Sequence, residues 1–230
     1  MSENATTGPR WAPGLIHALL DELATSYAGP AYQKEITAAR EEYFTRSGKV
    51  FEDDAEVHEA RMVSFLEWYV IERPLAHGQP PIIDALEKSR GRASSAGRAQ
   101  ALASLATSHR SVFDIASVDG NVIELEDVLS GGRFRVVEPR GTVGFEVGAL
   151  VEARVVWDGS QPIFAKTFLF HPRDARTETL DFVDESLAQA KDRDEIMFQL
   201  AQLYLRWHRH GHNNAARIYK GGGTMGPVPL

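Results

Sequence analysis

Cysteine is absent from all 230 residues. That absence excludes a disulfide scaffold, thiolate-ligated zinc, cysteine-held iron–sulfur clusters and any thiol nucleophile. Long apolar runs are missing too. No stretch approaches the ~18 residues a membrane helix needs, so no membrane partner is expected. The opening MSENATTGPR lacks a basic start followed by an apolar stretch and does not read as a signal peptide, which points to a cytoplasmic protein. Basic residues fall short of acidic ones, 25 Lys and Arg against 32 Asp and Glu. The resulting formal charge of -7 disfavours general attraction to nucleic acid or anionic membrane, although a local basic face remains compatible with it. Neither a G-x-S-x-G nucleophile pattern nor a Walker loop occurs; GTVGFEVG is followed by a strand rather than a helix.

What is present divides by hydrophobic period. A polar tail, 1–10, precedes a helical region, 11–110. There Leu15, Leu19, Leu20 and Leu23 form one helical stripe, and Ile36, Ala39, Tyr43 and Phe44 a second. A third helix carries Met62, Phe65, Leu66 and Tyr69 inward after an acidic first turn. A Gly-Gln-Pro-Pro turn, a short helix over 82–88, a small and basic stretch SRGRASSAGR and a weak helix complete the region.

From Ser111 the period becomes alternating, and 111–172 is expected to hold five strands. Phe113, Ile115 and Ser117 share one face of the first; Ile123 and Leu125, then Phe134 and Val136, face inward on the next two. Val151, Ala153, Val155 and Trp157 do so on the fourth, and PIFAKTFLFHP supplies the fifth. Arg133, Arg135 and Arg154, interleaved with Glu124, Glu126, Glu138 and Glu152, read as a solvated sheet face. The predicted class is therefore α+β, a small five-stranded SH3-like or OB-like barrel flanked by helical segments. A flat sheet backed by helices is the competing geometry. A C-terminal helical arm, 173–220, and a flexible tail, 221–230, follow. Within the arm Asp192 and Glu195 make a capping-box-like pair, Ile196, Leu200, Leu203 and Trp207 run down one face, and Gly211 is the stop.

The succession of the FLEWYV helix, the Gly-Gln-Pro-Pro turn, a short helix and SVFDIASVDGNVIELEDVLSGGRFRVVE resembles uncharacterised bacterial proteins. These join a helical segment to a small β-barrel, and some carry a SEC-C zinc motif. The resemblance spans Ser64 to Pro172 and implies an architecture without an activity. SEC-C zinc binding needs cysteines, so it does not carry over to this chain.

Chemistry-bearing residues concentrate near the end, in RWHRHGHNN. His208 and His212 stand four apart, the spacing that aligns two metal ligands on a helix, but Gly211 lies between them. Cationic side chains in a last helical turn also suit the helix dipole without any ligand, and no cofactor is expected. Arg206, Arg209, Arg217 and Lys220 offer phosphate partners, with Trp207 and Tyr219 for stacking; Lys88, Arg90, Arg92 and Arg98 form a second basic group. Asp54 and His58, also four apart, sit among carboxylates that suit a helix N-terminus. Glu67 is expected to snorkel or to pair with Arg61 or Arg73. The leading expectation is a non-enzymatic protein-binding or scaffold protein whose partner is another protein or a second copy. A nucleic-acid module using Arg206–Lys220 is the alternative. A metal-dependent enzyme with His208 and His212 is a third.

Overall fold

The computed structural model describes residues 11, 14–51, 54–89, 96–210 and 214–220. Five helices come first: α1 (Leu15–Tyr27), α2 (Gln33–Ser47), α3 (Ala55–Ile71), α4 (Pro81–Ser89) and α5 (Ala96–Ala106). Their apolar stripes meet in one core, where Leu19, Leu20 and Leu23 of α1 join Tyr43 and Phe44 of α2 and Phe65, Trp68 and Tyr69 of α3. Tyr43 sits at the centre of this group, with its ring 5.6 Å from Phe65 and 5.3 Å from Trp68. Gly48 ends α2 at φ 91°, a conformation costly for any residue with a Cβ, and Leu205 closes the space beside it.

The strands are β1 (His109–Asp119), β2 (Val122–Asp127), β3 (Arg133–Val137), β4 (Leu150–Trp157) and β5 (Pro162–Phe170). They form a closed barrel in the order β1-β2-β3-β5-β4, with β3 and β5 parallel and all other pairs antiparallel. This crossed order is that of an OB-type barrel; an SH3-like meander would keep the first four strands in sequence. Phe113, Ile115, Ile123, Leu125, Val151 and Phe164 fill the interior. Phe145, from the connection between β3 and β4, plugs it through edge contacts with Phe168 and Phe170 and a stack on Phe164. GTVGFEVG is thus a barrel loop.

Two strand expectations need correction. A bulge at Ala116 shifts the register of β1, so Val118 rather than Ser117 packs against the barrel core. Trp157 is 50% exposed, because the strand ends there and leaves its side chain at the rim.

After the barrel come α6 (Arg176–Ala188), α7 (Arg193–Arg209) and α8 (Ala215–Lys220). Asp192 caps α7 by accepting the Glu195 amide at 2.7 Å. The C-terminal section packs against both the barrel and the N-terminal helices. One side of α7, with Ile196, Met197, Leu200 and Leu203, shares a core with Val112 and Leu150 of the barrel and with α6 and α8. Its Phe198 instead enters the N-terminal aromatic core, 5.4 Å from Tyr43, with the Arg46 guanidinium 4.0 Å from its ring. Gln202 donates to the Arg46 carbonyl that α2 leaves unpaired near its end. The helix therefore bridges the two halves of the molecule. No helix among the described residues is long and apolar enough to cross a membrane.

Candidate functional site

A buried cluster of ionisable side chains lies where the barrel meets α3, away from the histidines. Along β4 the outward residues are Leu150, Glu152, Arg154 and Val156. Leu150 joins the core under α6–α8 and Val156 the N-terminal helical core, so the two charges between them are sealed from both ends. Arg110 and Arg154 are register partners on β1 and β4. Like charges directly opposed repel. Three carboxylates offset this: Arg110 donates to Glu152 at 2.5 Å and lies 3.6 Å from Glu72, while Arg154 pairs with Glu72 and lies 3.6 Å from Glu67. Arg154 is 2% and Glu152 7% exposed, so the expectation of a solvated face is overturned for both. It also fails for Glu138, which is buried against Arg140. It holds for Glu124, Glu126, Arg133 and Arg135.

The partner of Glu67 is Arg154, neither Arg61 nor Arg73. Arg61 is buried on the Ser47 carbonyl and hydroxyl, and Arg73 holds Glu35 and Glu42. Burial pushes the Glu67 carboxyl above its ordinary range, with Arg154 and the Lys166 amide pulling the other way. At Glu72 burial acts in the same direction, but Arg154 and Arg110 outweigh it and hold the carboxyl low. The cavity among Glu67, Arg110, Glu152, Arg154 and Thr167 is about 10 Å³. That is roughly the room one water needs, far below the 300 Å³ of a small-molecule site. These charges join strand to helix and leave no room for a substrate.

A second polar group surrounds Asp127, which is fully buried. It accepts the hydroxyls of Ser111 and Ser130, the Leu129 amide at 2.9 Å and a ring nitrogen of His109 at 2.7 Å. Burial opposes its ionisation, but these donors together hold its carboxyl below the usual range. A guanidinium only donates, so Arg193, 2.9 Å from His109 Nδ1, forces that nitrogen to accept and places the ring proton on Nε2, facing Asp127. Serine, histidine and aspartate meet here in the wrong order for catalysis. Both hydroxyls donate directly to the carboxylate, and the imidazole's accepting nitrogen faces an arginine. The cluster pins the turn between β2 and β3. Its sequence signal was an aspartate in the inward register of β2, after Ile123 and Leu125.

The six residues proposed from sequence for contact are not brought together as one surface. Tyr219 is buried, with its hydroxyl 2.9 Å from Nδ1 of the buried His171, so it is unable to stack on a base. Arg209 is held by both oxygens of Asp54 and by the Lys49 carbonyl at 2.6 Å, tying α7 to the segment before α3. The same pairing occupies Asp54 and takes it out of any site with His58. Trp207 is half-buried, its ring 5.7 Å from those of Tyr204 and His208, and Arg206 is half-buried beside it. Arg217 and Lys220 stand exposed on α8 and line a shallow cleft of about 430 Å³ with Ala216 and Glu178. His212 and Gly211 lie outside the described residues, as do Arg90 and Arg92. In the second basic group Lys88 pairs with Asp84 and Arg98 with Glu22. Among the described residues no three His, Asp or Glu side chains converge as a metal site would require.

A model of a protein family of unknown function, DUF7986, matches residues 31–215, spanning the last four N-terminal helices, the whole barrel and α6 and α7. The chain belongs to that family. No curated protein and no solved structure matches it. Membership agrees with the resemblance to uncharacterised proteins and brings neither a SEC-C motif nor an activity.

Proposed function

We propose that this member of DUF7986 is a non-enzymatic protein-binding or scaffold protein. The observation that carries the reading is the disposition of its charges. Inside, Arg110, Arg154, Glu72 and Glu152 neutralise one another across element seams, and α7 locks barrel and helices together. Outside, the α6–α8 surface keeps charged side chains with no ion-pair partner among the described residues. Groups spent on rigidity inside and groups left uncompensated outside suit a platform that meets another macromolecule. Within the C-terminal section a nucleic-acid role would have to rest on Arg217 and Lys220, without the Tyr219 stack or a free Arg209, and against the overall charge.

The test pairs affinity purification from the native cell with a direct binding assay. The tagged chain is expected to return a stoichiometric protein partner, or a second copy, whose recovery falls when Arg217→Glu and Lys220→Glu are combined. Fluorescence anisotropy with single- and double-stranded oligonucleotides at 50 mM salt is expected to show no binding. Recovery of nothing beyond background, or salt-sensitive oligonucleotide binding, would contradict the proposal.

A further inference from the structure

Many cations among the described residues have a carboxylate: Arg73, Arg98, Arg110, Arg154, Arg176 and Arg209 each hold one. Arg217 and Lys220 do not. Among the described residues no carboxylate comes within ion-pairing distance of either, although Glu178 stands across the cleft they line. They lie three apart, on one face of α8.

The neighbouring helix shows the opposite sign. In α6 the inward face is Thr179, Phe182, Val183 and Ser186. A period of 3.6 puts Asp181, Asp184 and Glu185 on the reverse side, with Glu178 at the edge nearest α8. Asp181, Asp184 and Glu185 are exposed and likewise lack a cation among the described residues. Leu187, 41% exposed, adds apolar area at the end of the same helix. Phe182 and Val183 of α6 share a core with Ala215 and Tyr219 of α8, so the two faces are fixed side by side.

An acidic stripe beside a basic pair on one rigid surface is self-complementary. A two-fold axis between two copies sets each basic pair on the other's acidic stripe, making both contacts at once. From this the geometry points to a second copy of the chain as the partner of the α6–α8 face, in an isologous dimer held mainly by these charges. The inference rests on the protein-binding reading and specifies its partner.

Sedimentation equilibrium of the full chain from 1 to 100 µM tests it. A reversible dimer is expected at 50 mM salt, weakened at least ten-fold at 500 mM, because exposed pairs are screened. The variant Arg217→Glu/Lys220→Glu carries two acidic faces, and Asp181→Lys/Asp184→Lys/Glu185→Lys two basic ones. Each alone is expected to be monomeric, and an equimolar mixture to form a heterodimer, since both contacts are then complementary again. All five side chains are exposed, and circular dichroism of each variant checks that folding is retained. A wild-type monomer at 100 µM, a dimer indifferent to both variants, or a mixture that stays monomeric overturns the inference. A monomer that still captures a different protein through Arg217 and Lys220 would overturn the dimer and leave the protein-binding reading standing.

Discussion

On β2 and β3, Glu124, Glu126, Arg133 and Arg135 alternate with apolar residues and stand in water. On β1 and β4, Arg110, Glu152 and Arg154 alternate in the same way and are sealed beneath α3 and α7. The letters are alike; the surroundings differ. Arg133 is 83% exposed at its side chain and 3.6 Å from Glu126, where solvent screens the pair. Arg154 is buried between Glu72, Glu67 and the Ser108 hydroxyl, with little water to replace a lost partner. A charged side chain on a strand therefore has no fixed worth. Its role is set by what the rest of the chain lays over that wall.

The sharpest way to break this comparison is to remove a buried partner. Arg154→Met leaves Glu67 and Glu72 facing one another with one arginine fewer, and is expected to cost about 3–5 kcal/mol. Urea denaturation should show the midpoint falling with the slope unchanged.

Acid probes the interior next. Burial lowers the His171 pKa to about 4, against about 6.5 when exposed. The folded state prefers the neutral ring, so its contribution is complete above pH 6.5 and is lost as pH falls towards 4. By pH 5 the loss is about 2 kcal/mol. Glu72 and Asp127, both held low, lose stability in the same direction at lower pH, whereas Glu67, held high by burial, is relieved by protonation. Urea midpoints at pH 7.5 and 5 measure the sum, and His171→Gln is expected to flatten the dependence over that interval.

Smaller effects belong to the exterior. Asp192→Ala removes the α7 cap and should cost about 1 kcal/mol. Arg133→Ala and Arg135→Ala, on the wet wall, should each change stability by less than about 0.5 kcal/mol. Thermal melts order these against the buried variant.

The comparison also marks what was legible in the letters. Local periodicity gave the five strands, the helical stripes and the Asp192 cap, because each depends on neighbours within a few residues. The alternation of LVEARVVW placed Glu152 and Arg154 outward from the barrel correctly, but outward there means towards α3, a residue range some 80 positions earlier. No local pattern carries that information. Strand order, the Ala116 bulge and the burial of Tyr219 of α8 against α6 and α7 depend on the same long-range packing. Asp127 was readable in principle, since a carboxylate in an inward register must be satisfied by neighbours. The basic residues picked out near the end of the chain divide accordingly: Arg209 serves the fold, while Arg217 and Lys220 stand exposed on α8.

The central claim is that buried pairing, not the mere presence of opposite charges, joins barrel to helices. A pair of double-mutant cycles tests it, one on Glu72 and Arg154, the other on Glu126 and Arg133, each read by urea denaturation at pH 7.5. A coupling above about 2 kcal/mol for the first and below about 0.5 kcal/mol for the second is expected. Equal couplings, or a Glu72–Arg154 value near zero, would contradict the account.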